Sequence, residues 1–127
     1  MTGKTVAELV RDAKSRIDNL TPDQVETEIA AGNTTLVDVR DAPELAGGAI
    51  AGAVHASRGM LEFYADPASP YHKPELEPAG RVILYCASGG RSALAVASLR
   101  ELGYVNVAHL DGGFKGWQAA GKPVSKP

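Results

Sequence analysis

The stretch Cys86-Ala87-Ser88-Gly89-Gly90-Arg91-Ser92 holds the residue types from which covalent chemistry is built, and its cysteine is the only one in the chain. The apolar run Arg81-Val82-Ile83-Leu84-Tyr85 before it predicts a buried strand, and the apolar-periodic segment Ala93–Leu102 after it predicts a helix. The cysteine therefore sits in a glycine-rich turn between a strand and a helix N-terminus. Backbone N–H groups in such a turn converge on one centre, and the helix dipole adds positive potential there. A free thiol with a pKa of ~8.5 is only slightly ionised at neutral pH, and lowering it to ~7 makes about half of it thiolate. Arg91 adds a fixed positive charge. The expectation is a nucleophilic cysteine in a turn that accepts a negatively charged substrate.

Each residue of the turn has a structural alternative. A core cysteine is often buried and inert, yet it needs no pair of glycines, arginine and helix start behind it. Gly89 and Gly90 either make a tight turn or let the backbone approach an anion closely. Arg91 either contacts substrate or pairs with an acidic residue such as Glu62. Ser92 is a helix N-cap or a hydroxyl donor into the cysteine turn. The backbone of Ala87 and Ser88 completes the candidate cradle. Arg58 is a candidate second contact at the pocket mouth. Asp38 and Arg40 read as structural: a strand-end Asp can bond loop N–H groups, and Arg40 can pair with Asp41 or Glu44. His55, His72 and His109 show no ligand spacing, so neither a metal nor another cofactor is expected. Nothing in the sequence brings His55 to Cys86 as a base.

Several elements must position these groups. Thr5-Val6-Ala7-Glu8 is a capping box, and Val6, Leu9, Val10, Ala13 and Ile17 follow it at helical spacing. Thr21-Pro22-Asp23-Gln24 starts a second helix, which Gly32-Asn33 ends. Thr35–Val39 reads as a buried strand, Asp41–Ala46 as a short helix, and Ala53–Ala56 as a weak strand. Met60–Asp66 reads as one or two helical turns. The segment from Pro67 to Pro78 holds four prolines and reads as a loop. Val105–Leu110 alternates like a strand, and Phe114–Ala120 reads as a last short helix with Phe114 and Trp117 in the core. Strands alternating with helices imply an α/β domain whose parallel sheet is covered on both faces. In such sheets ligands bind beyond the carboxyl ends of the strands, which is where Asp38 and Cys86 lie.

The 127 residues fit one domain with a real core. Apolar content of 44% and charged content of 22% are those of an ordinary globular chain. A net charge of −2 argues against a nucleic-acid partner. No apolar run is long enough for a membrane span, and the mixed charges of Thr5–Asp18 argue against a signal peptide. A lone cysteine cannot form an internal disulfide, so a reducing, cytoplasmic setting is expected.

Four motifs, in order, give the chain a family likeness: Leu36-Val37-Asp38-Val39-Arg40; Gly48-Ala49-Ile50-Ala51-Gly52-Ala53 with Arg58-Gly59 behind it; Cys86–Ser92; and Leu110-Asp111-Gly112-Gly113-Phe114-Lys115-Gly116-Trp117. Across Leu20–Val124 the sequence resembles the single-domain rhodaneses, the thiosulfate sulfurtransferases. Ala49 stands where many relatives have His, a position that is not the nucleophile. The resemblance implies a three-layer α/β fold with a five-stranded parallel sheet and helices on both faces. It divides the chain into an N-terminal amphipathic helix, 1–19, and a rhodanese-like domain, 20–127. It also implies a Cys86 persulfide as intermediate, with no cofactor, formed from thiosulfate or a similar small anionic sulfur donor. The outer sulfur then passes to a thiol, or to cyanide in an assay, in two half-reactions.

Two other classes share the cysteine. One is a persulfide carrier that receives sulfur from a protein donor such as a desulfurase. The other is a cysteine-based phosphatase, which places five residues between cysteine and arginine where this chain has the four from Ala87 to Gly90.

Overall fold

A computed structural model of the chain describes residues 3–126. Five parallel strands form one sheet in the order β1-β5-β4-β2-β3. They are β1 (Asp18–Leu20), β2 (Thr34–Asp38), β3 (Val54–His55), β4 (Arg81–Tyr85) and β5 (Val107–Leu110). The helices are α1 (Val6–Lys14), α2 (Pro22–Ala31), α3 (Leu61–Ala65), α4 (Gly90–Glu101) and α5 (Gly113–Ala119), with 3-10 turns at Ala42–Gly47 and Arg58–Met60.

Local chemistry sets the helix starts. Thr5 accepts from the Glu8 N–H while the Glu8 carboxylate accepts from the Thr5 N–H, and Thr21 and Gln24 repeat this at α2. Both signatures are complete within four residues, which is why the sequence shows them. The end of α1 is different. Helical spacing reaches Ile17, yet the helix stops at Lys14 because the Asn19 amide donates to the Lys14 and Ile17 carbonyls and turns the chain. Asn19 can do this because Asp18–Leu20 is a strand, a fifth one that residue patterning misses. It pairs with β5 at Asp18–Ala108, Asn19–His109 and Leu20–Leu110. β5 itself starts at Val107, leaving Val105 exposed.

Strand alternation sorts the core into two halves. From β4, Val82 and Leu84 face α3 and α4 and join Val37, Val39, Leu61, Val96, Leu99 and Tyr104. Ile83 and Tyr85 face the other way, with Val25 of α2 and Phe114 and Trp117 of α5. Helices thus cover both faces of the sheet, with each fully buried aliphatic side chain contributing about 1.5–3 kcal/mol. Cys86 continues the alternation onto the α4 side. From β4 the chain runs through α4 to β5 on one side, while β2 pairs with β3 on the other. The Cys86 turn therefore opens at the carboxyl end of the sheet, where strand order reverses, the usual ligand position in open α/β sheets. Among the described residues, no helix is long and apolar enough to cross a membrane.

Candidate active site

The Cys86 turn is shaped from both ends. Gly89 caps α4 at φ +106, and Gly90 is the first helical residue. Ser92 therefore lies in the first turn of α4, and its hydroxyl does not cap the helix. On the far side, α5 is pressed against the turn. The N–H groups of Phe114 and Lys115 donate to the carbonyls of Cys86 and Ala87 at 2.8 and 3.0 Å. In a trans peptide, carbonyl and following N–H point in opposite directions. Turning those two carbonyls toward α5 thus turns the N–H groups of Ala87 and Ser88 away from α5. Gly113 makes the approach possible: a Cβ there would lie 2.6 Å from the Cys86 and Ala87 carbonyl oxygens. The Gly112-Gly113 pair of the fourth motif is the seat of the cysteine loop.

Inside the cradle, Cys86 Sγ accepts from the Gly89 N–H at 3.1 Å and the Ser92 N–H at 3.4 Å, and the Ser92 Oγ lies 3.5 Å away. Burial raises the thiol pKa. The Ser92 hydroxyl and the N–H groups of Ser92, Gly89 and Ser88 outweigh that and leave it below the ordinary value. The cysteine is almost fully covered, yet it forms part of the wall of a cavity of about 300 Å³. Ala87, Ser88, Gly90 and Arg91 line that cavity with it, and Val6, Val10 and Leu94 from α1 and α4 supply an apolar wall.

The charges pair in ways the sequence leaves open. Arg91 grips Glu44, Nη1 to Oε1 at 2.8 Å and Nη2 to Oε2 at 3.0 Å, and not Glu62. That ion pair brings the Glu44 carboxyl down to about 2. Arg58 holds both Glu62 oxygens, at 3.1 and 2.9 Å, and lies outside the cavity wall. Arg40 reaches neither Asp41 nor the Glu44 carboxylate. It binds Asp38 through Nε and Nη2, the latter at 2.7 Å, and both side chains are buried. The Tyr85 hydroxyl donates to the same Asp38 carboxylate at 2.7 Å and accepts from the Ile50 N–H at 3.1 Å. Arg40 also donates to the Gly48 and Glu44 carbonyls, so this buried network fixes the turn that carries Glu44 to Arg91.

One neighbour of the site is invisible to spacing. His109 of β5 is fully buried, with Nδ1 2.9 Å from Ser92 Oγ and Nε2 2.7 Å from Asn19 Oδ1. The only signal is a histidine in the otherwise apolar run Val107-Ala108-His109-Leu110, and strand order is needed to place it against Ser92. His55 and His72 bind the Arg40 and Leu76 carbonyls, away from the thiol.

The family described as the rhodanese-like domain matches residues 21–120. The chain belongs to the rhodanese-like family. Among relatives, it is 34% identical to thiosulfate sulfurtransferase GlpE of Actinobacillus succinogenes over 105 residues, which is 83% of this chain and 87% of that protein. It is 30% identical to the human thiosulfate:glutathione sulfurtransferase over 101 residues, 74% of this chain and 87% of that one. A solved structure from Rhodopseudomonas palustris CGA009, a protein of unknown function described as a possible tyrosine phosphatase, is 37% identical and superposes with a TM-score of 0.91, covering 98% of this chain and 97% of that one. Relatives named as sulfurtransferases support sulfurtransferase activity, in general terms, for this rhodanese-like chain. The five-stranded parallel sheet with helices on both faces is the fold its resemblance implies.

Proposed function

We propose that this rhodanese-like protein is a sulfurtransferase that moves a sulfane sulfur from thiosulfate, or a similar small anionic donor, through a Cys86 persulfide. The observation that carries the reading is a lowered thiol whose sulfur faces convergent N–H groups and borders a cavity. The Cys86 thiolate attacks the outer sulfur of thiosulfate. The new S–S bond forms as the old one breaks, and sulfite leaves with the bonding electron pair. The persulfide's terminal sulfur carries the negative charge, and the N–H groups of Ala87 to Ser92 stabilise it there. A thiol, or cyanide in an assay, attacks that sulfur and releases the Cys86 thiolate. Arg91 is the cation we assign to the donor, since it borders the cavity, and on this reading the incoming anion takes the place of the Glu44 carboxylate. Arg58 reaches a donor only by leaving Glu62. A thiol that must stay reduced suits a cytoplasmic setting.

The test is an intact-mass measurement after thiosulfate treatment. The expected result is a gain of one sulfur atom, reversed by cyanide with thiocyanate formed, and absent from Cys86→Ser. Cys86-dependent hydrolysis of p-nitrophenyl phosphate without thiocyanate formation overturns the reading in favour of a phosphatase. Slow reaction with thiosulfate but fast Cys86 persulfidation by a cysteine desulfurase makes a protein persulfide the donor.

A further inference from the structure

The sulfur-transfer scheme leaves the buried His109 without a task. His109 sits in β5 between Asn19 of β1, its partner in register, and Ser92 of α4. The hydrogen bonds fix its tautomer. Both hydrogens of the Asn19 amide are spent on the Lys14 and Ile17 carbonyls, at 2.9 and 3.2 Å, so Asn19 presents its oxygen to His109. Nε2 therefore carries the proton and donates to that oxygen, and Nδ1 is a bare acceptor turned toward Ser92. The Ser92 hydroxyl in turn donates to Nδ1 at 2.9 Å, closer than the Gly89 carbonyl at 3.4 Å, and leaves its lone pairs for the Cys86 S–H at 3.5 Å. This is a continuous chain, Cys86–Ser92–His109–Asn19, inside the protein.

We propose that Cys86 gives up its proton along this chain, with His109 as the acceptor, Ser92 as the relay, and Asn19 and His109 as positioning residues of the sulfur-transfer reaction. In the step, the S–H bond breaks and its proton joins Ser92 Oγ, while the Ser92 O–H bond breaks and its proton joins Nδ1. The sulfur ends negative, the imidazolium positive, and the Ser92 hydroxyl then donates to sulfur. No other reactant is needed. Without this movement an anionic sulfur faces serine lone pairs, or the hydroxyl swings away and strands a buried Nδ1, and both are costly. The charged groups near His109 are Lys14 and Asp111, which pair with each other at 2.9 Å and act on the imidazole in opposite directions. Asn19, Ser92 and the β4 neighbour Leu84 are neutral. Burial is the main cause that brings the imidazole down to about 4, with Asp111 raising it and Lys14 lowering it. In the proposed step the compensating charge comes from the sulfur, which makes the two titrations one coupled event.

The proposal rests on the sulfurtransferase reading only for its consequence in turnover, and its test needs no sulfur donor. In protein with labelled histidine, the His109 ring nitrogens are followed by NMR across pH, with Cys86 free and with Cys86 capped by iodoacetamide. The expected midpoint for His109 is at least about one unit higher with the free sulfur, a tenfold change in proton affinity. Equal midpoints overturn the proposal. Separately, the pH profile of Cys86 alkylation is measured in His109→Asn, which can accept from Ser92 but cannot hold the proton, and in Asn19→Asp, which favours the imidazolium. The alkylation midpoint is expected to rise in the first and fall in the second. Profiles matching the parent, with folding intact, overturn the relay. If either variant fails to fold, the capped and free parent protein decides.

Discussion

Replacing Gly113 with alanine tests whether the Cys86 loop owes its shape to α5. Gly113 has φ +62, a conformation that costs a residue with a Cβ about 1–2 kcal/mol. The added carbon would also lie 2.6 Å from the Ala87 carbonyl carbon and from the Ala87 and Cys86 carbonyl oxygens. Ordinary contact needs about 3.4 Å, so the loop must retreat by roughly 0.8 Å. That retreat stretches the bonds from the Phe114 and Lys115 N–H groups, now 2.8 and 3.0 Å, past useful length. Two lost hydrogen bonds at about 1 kcal/mol each, with an overpacking cost of about 1–3 kcal/mol, bring the total to ~4–7 kcal/mol. Gly121→Ala is the control. Gly121 has φ +74 and nothing within 4 Å of the added carbon, so it bears the backbone strain alone, about 1–2 kcal/mol. Equilibrium urea denaturation of both variants measures the difference, and alkylation of Cys86 in Gly113→Ala is expected to slow as its N–H groups move. Equal losses of stability in the two variants would refute the claim that α5 shapes the loop by contact.

Arg91→Ala is expected to lower kcat/KM for thiosulfate by about 1.5–3 kcal/mol, the range for a charge-assisted contact; an unchanged value shows that Arg91 serves Glu44 alone. Glu44→Gln frees the guanidinium and is expected to raise kcat/KM for thiosulfate. Glu44 titrates near 2 when folded, below its ordinary value of 4.5, so its pairing stabilises the fold above about pH 4.5 and is lost as pH falls toward 2. The melting temperature of Glu44→Gln, followed from pH 5 to pH 2, is expected to fall less than that of the parent. Asp38→Asn leaves the Arg40 guanidinium buried without its counter-charge and is expected to cost about 3–5 kcal/mol in chemical denaturation. A loss below about 1 kcal/mol would show that water reaches the pair. The rate of Cys86 alkylation is expected to reach half its maximum at a lower pH than an unfolded cysteine peptide, because the cradle favours the thiolate.

What was legible in the sequence is what short range decides. The capping boxes at Thr5 and Thr21, the β4 run and the glycine turn after it each carry their signal within a few residues. β1 carries none. Asp18-Asn19-Leu20 is short and polar, and it is a strand only because β5 offers a backbone edge and His109 takes the Asn19 oxygen. The partners of the cations were hidden for the same reason. Arg91 and Glu44 are far apart in the chain, and Glu44 arrives beside Arg91 on a turn that the buried Asp38–Arg40–Tyr85 network holds. Patterning could mark Asp38 and Arg40 as structural but could not choose Asp38 over Asp41 or Glu44 as the partner of Arg40. Gly113 stood out only through family likeness, and its physical reason is the carbonyl wall of the cysteine loop.

Charge balance at the site follows from these placements. The one guanidinium bordering the cavity is already matched by a carboxylate, so a bare positive field cannot be the main source of anion affinity. That leaves the backbone. α4 directs its first N–H groups at the sulfur, while α5 takes up the carbonyls of Cys86 and Ala87 and thereby turns the intervening N–H groups the other way. Backbone dipoles held in this way need no reorganisation when the sulfur becomes charged, and they act within a few ångströms. They favour a compact anionic sulfur on Cys86 more than a large dianion at the cavity mouth. The cavity is also lined by Val6, Val10 and Leu94, an apolar surface better suited to the carbon part of a thiol than to a solvated anion. On the proposed reading, peptide groups stabilise charge at the sulfur, and selection among donors and acceptors falls to Arg91 and the apolar wall of α1 and α4.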